Sequence, residues 1–283
     1  MIPLSDTALQ TRLATHLERV ARDRNPFFAS AGHFFVQQYI QQELSRWGEV
    51  AEHRFNFQGR QHTNWVLDLP GTSRRPPVLV GAHYDSVPGS PGADDNATGV
   101  AVLLELARAL SQQPGRSPLR LIAFDLEESG FVGSHHYAQD IYQQGESLGL
   151  MLSLEMLGYC CHRPHSQQYP PGLDRFYPNQ GNYIAQIGQW QSIPAMVALW
   201  RGFRAAGLRS QWLPVVNQGR SVPETRRSDH VPFWDLGYPA ILITDTADLR
   251  NPHYHQPTDT LETLDLGFLA QVCQGLRFAL RRL

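Results

Sequence analysis

Three short apolar segments, each followed by acidic or histidine residues, constrain the fold of this chain more than any other feature. The segments are VLVGAHYD (78–85), LRLIAFDLEE (119–128) and LGLMLSLEM (148–156). Helical or loop sequence separates them, as is typical of βαβ units around a largely parallel sheet. Because ligands bind beyond the carboxyl ends of such strands, the polar residues are predicted to converge on one crevice.

Other periodic segments extend this α/β pattern over the 283 residues. After a possible cap at Ser5, the spacing of Leu9, Leu13, Leu17 and Val20 predicts an amphipathic helix, so residues 1–48 are interpreted as N-terminal helices packed on the core. Alternation predicts an antiparallel strand pair at 49–57 and 61–69. Further helices are predicted at 32–47, 99–110, 131–142, 195–206 and 266–283, with a strand at 239–244. Residues 161–182 form a long Pro/Gly-rich loop that we expect to border the site.

Composition excludes several classes of function. The 24 basic residues are all arginine, which rules out lysine Schiff bases and Walker-type phosphate loops. A net charge of −2 gives no general field for nucleic acid or a membrane surface, so neither is an expected partner. Three cysteines without C-x-x-C spacing predict neither a disulfide framework nor a thiolate zinc site. No signal peptide or long apolar run is recognised, which predicts a soluble cytoplasmic protein.

Five histidine and carboxylate residues at these strand ends and loops suit a catalytic zinc site. Two Zn²⁺ bound by two imidazoles and three carboxylates, with a bridging water or hydroxide, would be close to electrically neutral. A shared carboxylate would hold the two ions together, and Asp95 is the candidate bridge. The candidate ligands are His83, Asp95, Glu128, Glu155 and His255.

Two neighbours of these ligands have candidate roles of their own. Glu127 and Glu128 would point to opposite sides of an extended backbone, so one can bind metal while the other accepts a proton. Asp85 shares a strand face with His83 and is predicted to accept its second ring N–H.

Several blocks in order now resemble the co-catalytic zinc aminopeptidases (metallopeptidase family twenty-eight). They are HYDS, GADDNATG, DLEESGFVGS, SLEM, SDHVPFWDLGYPAI and YHQPTDT, between residues 77 and 265. The resemblance implies one zinc-dependent exopeptidase domain over residues 1–283, a three-layer α/β/α sandwich with a mixed sheet. It implies that the five residues above are the ligands, that Glu127 is the general base and that Tyr254 polarises the carbonyl. It also implies a cis peptide bond between Asp95 and Asn96.

One position leaves undecided whether the enzyme acts on the amino or the carboxyl terminus of its substrate. Glu155 stands where members that act on substrates with a free amino terminus usually carry Asp, and related carboxypeptidases can carry Glu. An aminopeptidase that acts on a peptide or aminoacyl small molecule is expected, with a carboxypeptidase, a single-zinc glutaminyl cyclase and a non-catalytic scaffold of the same fold as alternatives. The presence of His83 argues against the cyclase.

The remaining polar residues of these blocks receive plainer interpretations. Asp94 is expected to be a solvated neighbour of the bridge, and His255 is favoured over His253 as the last ligand. Asp259 is interpreted as a capping residue, and Asp229 and His230 brace the backbone or contact substrate. Arg226 and Arg227 are a solvated pair or a site for a substrate carboxylate. No functional role is assigned to four further histidines, which are interpreted as surface or packing residues: His135, His136, His162 and His165.

Overall fold

The computed structural model describes residues 7–283, which form an eight-stranded mixed sheet. The strand order is β1-β2-β4-β3-β5-β8-β6-β7. The four central strands β4, β3, β5 and β8 are parallel, and antiparallel pairings attach β2 to β4 and β6 to β8. The strands are β1 Val50–Phe57, β2 Arg60–Leu69, β3 Val78–His83, β4 Leu119–Phe124, β5 Leu150–Glu155, β6 Ile184–Gln189, β7 Ser210–Val215 and β8 Ala240–Thr244.

Helices cover both faces of this sheet. They are α1 Thr7–Val20, α2 Ser30–Ser45, α3 Gly99–Gln112, α4 Val132–Gln143, α5 Ile193–Ala205, α6 His230–Asp235 and α7 Leu266–Leu280. On β3, Val78 and Val80 pack with α1, α2, α3, α5 and α7, while Leu79 points to the opposite face, toward α4 and α6. This alternation follows from the period of two in a strand and builds one core on each side. The three-layer α/β/α prediction is confirmed.

The predicted elements lie within a few residues of the observed ones, but the strands β6 and β7 and the short helix α6 were missed. β6 and β7 form the far edge of the sheet and contain Gln186, Gly188 and Pro214, residues that weaken a strand pattern. The predicted cap at Ser5 lies outside the described residues. Among the described helices, none is long and apolar enough to cross a membrane.

The parallel strands determine where the functional side chains meet. β3, β4, β5 and β8 end at the same edge of the sheet, and each is followed by a polar loop. The predicted site residues come together at this edge of the sheet, among the four loops.

Candidate metal centre

The structure brings the five predicted ligand side chains and the predicted base Glu127 into one cluster, which is largely buried except at His255, whose side chain is 36% exposed. Two come from strand ends, with His83 on the last residue of β3 and Glu155 on the last of β5. Asp95 precedes α3, the Glu127–Glu128 pair follows β4, and His255 follows β8. Residues that would be hundreds of ångströms apart in an extended chain are thereby brought within 3–4 Å of one another.

Asp95 lies between the two histidines and divides the cluster into two sets of donors. Its Oδ1 is 3.2 Å from Nε2 of His83, and its Oδ2 is 3.2 Å from Nε2 of His255. Glu155 Oε1 completes the first set at 3.4 Å from His83 Nε2, and Glu128 Oε2 completes the second at 3.2 Å from His255 Nε2. Each set of three has its donor atoms within 4.8 Å of one another. The two sets share only Asp95.

The backbone at Glu127 and Glu128 differs from the expected extended strand. β4 ends at Phe124, Leu126 has a positive φ of 60°, and the two glutamates lie in the turn that follows. Both carboxylates therefore reach the same cluster, and Glu127 Oε2 lies 4.0 Å from Nε2 of His83. The prediction that the two side chains point to opposite sides of an extended backbone was wrong, because both residues lie in a turn beyond the end of the strand.

Asp85 fixes this turn. Its two oxygens accept hydrogen bonds from the backbone N–H groups of Glu127 and Glu128, at 3.0 and 3.1 Å. The predicted contact with His83 is longer, with 3.5 Å between Asp85 Oδ1 and His83 Nδ1, and His83 Nδ1 has no hydrogen-bond partner among the described residues. Asp85 thus positions both glutamates at once.

Burial and mutual repulsion shift the protonation of the cluster. Burial, reinforced by neighbouring carboxylates, raises the pKa of Glu127 well above its usual range and that of Glu128 to about 7. Burial also opposes charge on Asp95, but hydrogen bonds from His255 and His83 lower its pKa. Although burial lowers the pKa of His255, Asp95 and Glu128 raise it to about 10. The cluster therefore favours nearby positive charge.

The donor chemistry fits a pair of divalent cations. Four carboxylates and two imidazoles are held together, and Glu128 Oε1 is buried without a hydrogen-bond partner. A buried acceptor without a partner is costly, and so are several buried carboxylates at close range, unless cations compensate them. Nitrogen and oxygen donors without a thiolate are typical of catalytic zinc sites.

The loop around Asp95 corrects one expectation. Asp94 was expected to be solvated, yet it is fully buried, and its carboxylate accepts hydrogen bonds from the Gly158 backbone and the Asn251 amide. Asp259 accepts the backbone N–H groups of Asp94 and Asp95, at 2.9 and 3.1 Å, which agrees with its predicted capping role. The Asp95–Asn96 peptide bond is cis, as the resemblance implied.

The other histidines and the arginine pair lie outside the donor cluster. His253 turns away to Thr258, at 2.9 Å, so the structure brings His255 rather than His253 to the cluster. Arg226 pairs with Asp235, and Arg227 with Asp248, each at 2.8 Å. The ring of Tyr254 stacks on His255 with 3.8 Å between ring centroids, and its hydroxyl accepts a hydrogen bond from Arg227, at 3.3 Å.

The block around residue 229 is buried behind the cluster. Asp229 is buried, and burial raises its pKa to about 7. The ring Nε2 of His230 contacts the carbonyl oxygen of Thr225 at 2.8 Å, and burial lowers its pKa to about 3. His230 therefore braces the backbone as a neutral side chain.

Comparison with known proteins places this arrangement in a family. Residues 64–279 match the profile of Peptidase family M28. The chain belongs to this family. An uncharacterised relative, YfbL of Escherichia coli K12, is 40% identical over 231 residues, covering 77% of this chain and 70% of that protein. Seven further curated relatives are longer, and this chain covers 38% to 55% of their lengths.

Solved structures share the M28 fold. The LapA aminopeptidase of Legionella pneumophila superposes with a TM-score of 0.74 at 17% identity, covering 98% of this chain and 74% of that chain. BSAP, a zinc aminopeptidase from Bacillus subtilis, has a TM-score of 0.56 at 25% identity, covering 79% of this chain and 50% of that chain.

A cleft beside the M28 donor cluster offers a place for substrate. Its cavity volume is about 100 Å³, and Glu155 and Tyr254 are among the residues that line it. Its walls are largely aromatic and aliphatic. They include Tyr169, Leu173 and Tyr177 of the long loop together with Tyr183, Ile187, Trp212, Leu213 and Leu242.

Arg24 is a residue of the M28 site that the sequence did not reveal. It is fully buried, and its guanidinium donates to the carbonyl oxygens of Arg22, Tyr84, Pro91, Gly92 and Asp95 at 2.6–3.2 Å. Four of these carbonyls belong to the segment that carries Asp95. An isolated arginine among predicted helices gives no signal of such contacts, because its partners are backbone atoms.

Proposed function

We propose that this M28 peptidase is a zinc-dependent aminopeptidase with two co-catalytic ions. One observation carries the proposal: the two oxygens of Asp95 face two separate sets of donors, each within 3.4 Å of a histidine nitrogen. A carboxylate shared in this way is typical of two-metal hydrolases. The zinc aminopeptidase of B. subtilis, which has the same fold, supports the choice of metal and activity.

The ligands would divide between the two ions. His83 and Glu155 would hold one, Glu128 and His255 the other, and Asp95 both. When bound, the zinc ions would lower the pKa of a coordinated water and polarise the scissile carbonyl. Ser228 donates to Glu155 Oε2 at 2.8 Å, which keeps Oε1 directed at His83.

Glu127 is the proposed general base. Its carboxylate is buried at the edge of the donor set, and burial with the nearby carboxylates raises its pKa, which makes it a stronger proton acceptor. It would take the proton of the attacking water and pass it to the leaving amine. Tyr254 would donate its hydroxyl proton in a hydrogen bond to the developing oxyanion, with Arg227 holding the ring in place.

The charges around the cleft favour an amino terminus over a carboxyl terminus. Arg226 and Arg227 are each neutralised by an aspartate, so neither offers a free cation to a substrate carboxylate. Glu224 lines the cleft and would attract an ammonium group. Its apolar walls would take a bulky apolar side chain of the substrate.

Comparing substrates with free and blocked ends tests this proposal. The zinc-loaded enzyme should hydrolyse aminoacyl amides and peptides with a free amino group, and should leave N-acetylated peptides intact. Exhaustive chelation should abolish the activity, and Zn²⁺ should restore it. Glu127→Gln should lower kcat by roughly 10²–10⁴-fold with unchanged zinc content.

Three results would contradict the proposal. Release of residues only from the carboxyl end would indicate a carboxypeptidase, and cyclisation of N-terminal glutamine by an enzyme with one zinc would indicate a glutaminyl cyclase. Activity that survives complete chelation would exclude the metal mechanism. A cytoplasmic location remains a prediction.

A further inference from the structure

A second group of metal-binding side chains lies where the long loop leaves the sheet. Cys160 and His162 follow β5, and Asp265 immediately precedes α7. Cys160 Sγ is 3.7 Å from His162 Nε2, and the donor atoms of all three residues lie within 4.8 Å of one another. No thiolate zinc site was expected and His162 was interpreted as a surface or packing residue, because nothing in the sequence links these two residues to Asp265, about a hundred residues away.

Each donor is held by a separate contact. Cys160 is half-buried against the main core, and one oxygen of Asp265 accepts the Phe268 backbone N–H at 2.9 Å, which leaves its second oxygen available. His162 Nδ1 lies 3.3 Å from the side-chain amide of Asn182. Since the nitrogen and oxygen of an amide are assigned rather than observed, Asn182 can turn its oxygen to accept Nδ1–H and leave Nε2 free to bind.

We propose that Cys160, His162 and Asp265 form an additional zinc site that is separate from the co-catalytic centre. A thiolate, an imidazole and a carboxylate are all accepted zinc ligands, and water would complete a tetrahedral shell. Cys161 is not part of the site, because its thiol is engaged by Arg163, whose Nε lies 3.5 Å from Sγ.

The charges of the group explain why a cation would bind. A thiolate beside the Asp265 carboxylate is disfavoured without a counter-charge, and burial together with Asp265 raises the pKa of Cys160 to about 11. Metal binding would therefore displace the thiol proton into solvent.

A metal ion here would join two parts of the molecule that border the cleft. The segment that begins with Cys160 continues into residues 167–177, which line the cleft. Among the described residues, one backbone hydrogen bond, from the Asp265 N–H to the Gly158 carbonyl at 2.9 Å, connects the start of this segment to the beginning of α7. The ion would add a cross-link next to this bond and stiffen the start of the loop.

Cobalt substitution can detect this site independently of peptidase activity. The co-catalytic donors are only nitrogen and oxygen, so a thiolate-to-cobalt charge-transfer band in the near ultraviolet would report the additional site alone. Titration of the reduced, metal-free full chain with Co²⁺ should produce this band. Cys160→Ser should abolish the band and bind one cobalt fewer per chain, and His162→Ala should weaken it.

Cys161→Ser is the matched control, since it removes the adjacent thiol and should keep the band. The only other cysteine, Cys273, is buried in the core. Absence of the band in the wild-type chain, or its persistence in Cys160→Ser, would overturn the additional site. Either result would leave the proposed aminopeptidase activity untouched. If the wild-type chain showed the band but no aminopeptidase activity, only the proposed function would be contradicted.

Discussion

Arg24 shows how a single buried residue can position a metal-binding segment without contacting the metal donors themselves. Its planar guanidinium satisfies five carbonyl oxygens, a geometry that the compact ammonium of lysine cannot reproduce. Each buried carbonyl that loses its donor costs about 1–3 kcal/mol. The backbone of Asp95 is among those that would be released.

Arg24→Lys is expected to weaken zinc binding at the co-catalytic centre by about 10-fold or more, the usual effect of losing a residue that orients a ligand. It should also lower the free energy of unfolding by about 2 kcal/mol. Competition with a chromophoric chelator measures the first effect, and urea denaturation measures the second. Arg22→Lys is the control, because only the backbone carbonyl of Arg22 contacts Arg24. Equal zinc affinity in both variants would refute the positioning role.

At the same scale, the sequence was informative about donors and uninformative about their supports. The metal-ligating types stand out because His and Glu interrupt apolar strands, and this placed His83 and Glu155 correctly at strand ends, whereas Glu128 lies in the turn after β4. Asp94 was misjudged because acidic residues are usually exposed, and its burial depends on Asn251, which is remote in sequence. Backbone partners such as those of Arg24 and Asp85 carry no sequence pattern at all.

At the scale of elements, α1 is attached to α3 by a cluster around Glu105. Arg12 of α1 contacts the Glu105 carboxylate at 3.0 Å, His16 approaches it at 3.6 Å, and Arg108 contacts it at 3.1 Å. Burial alone would raise the pKa of Glu105, but hydrogen bonds from His16 and Arg12 hold it below the usual 4.5.

Glu105→Gln should therefore destabilise the protein in a pH-dependent manner. Because the folded-state pKa of Glu105 is lowered, its contribution is complete above pH 4.5 and disappears as the pH falls through the folded-state value. We expect a loss of about 1 kcal/mol at pH 7, since Arg12 is partly exposed, shrinking toward zero in acid. Urea denaturation at a series of pH values between 7 and the acid range measures this difference in unfolding free energy. Glu18→Gln, on the exposed face of α1, is the control. A constant difference at all pH values would contradict this assignment.

Element prediction worked where burial imposed a strong period and failed where it did not. β3, β4 and β5 are buried on both faces and appear as continuous apolar runs. β7 is half-exposed at the sheet edge, and its register is set by pairing with β6 rather than by its own pattern. Such a strand is recognisable only once the rest of the sheet exists.

For the whole molecule, the donor cluster couples folding to metal binding. The donors come from five segments spread between residues 83 and 255, and they converge only when the sheet is assembled. Unfolded chains cannot supply this arrangement, so zinc binds the folded state preferentially and stabilises it by mass action.

Zinc should therefore raise the melting temperature of the metal-free protein. With free zinc about 100-fold above the dissociation constant of a site, the stabilisation is about 2.7 kcal/mol for each ion bound, which corresponds to roughly 5–10 °C per ion for a chain of this size. Calorimetry in the Cys160→Ser background removes any contribution from the additional site. Asp95→Asn in the same background should lose most of the shift, because Asp95 serves both sets of donors and its removal leaves neither set complete. An undiminished shift in that variant would mean that Asp95 does not connect the two sets, and the two-ion centre would have to be abandoned.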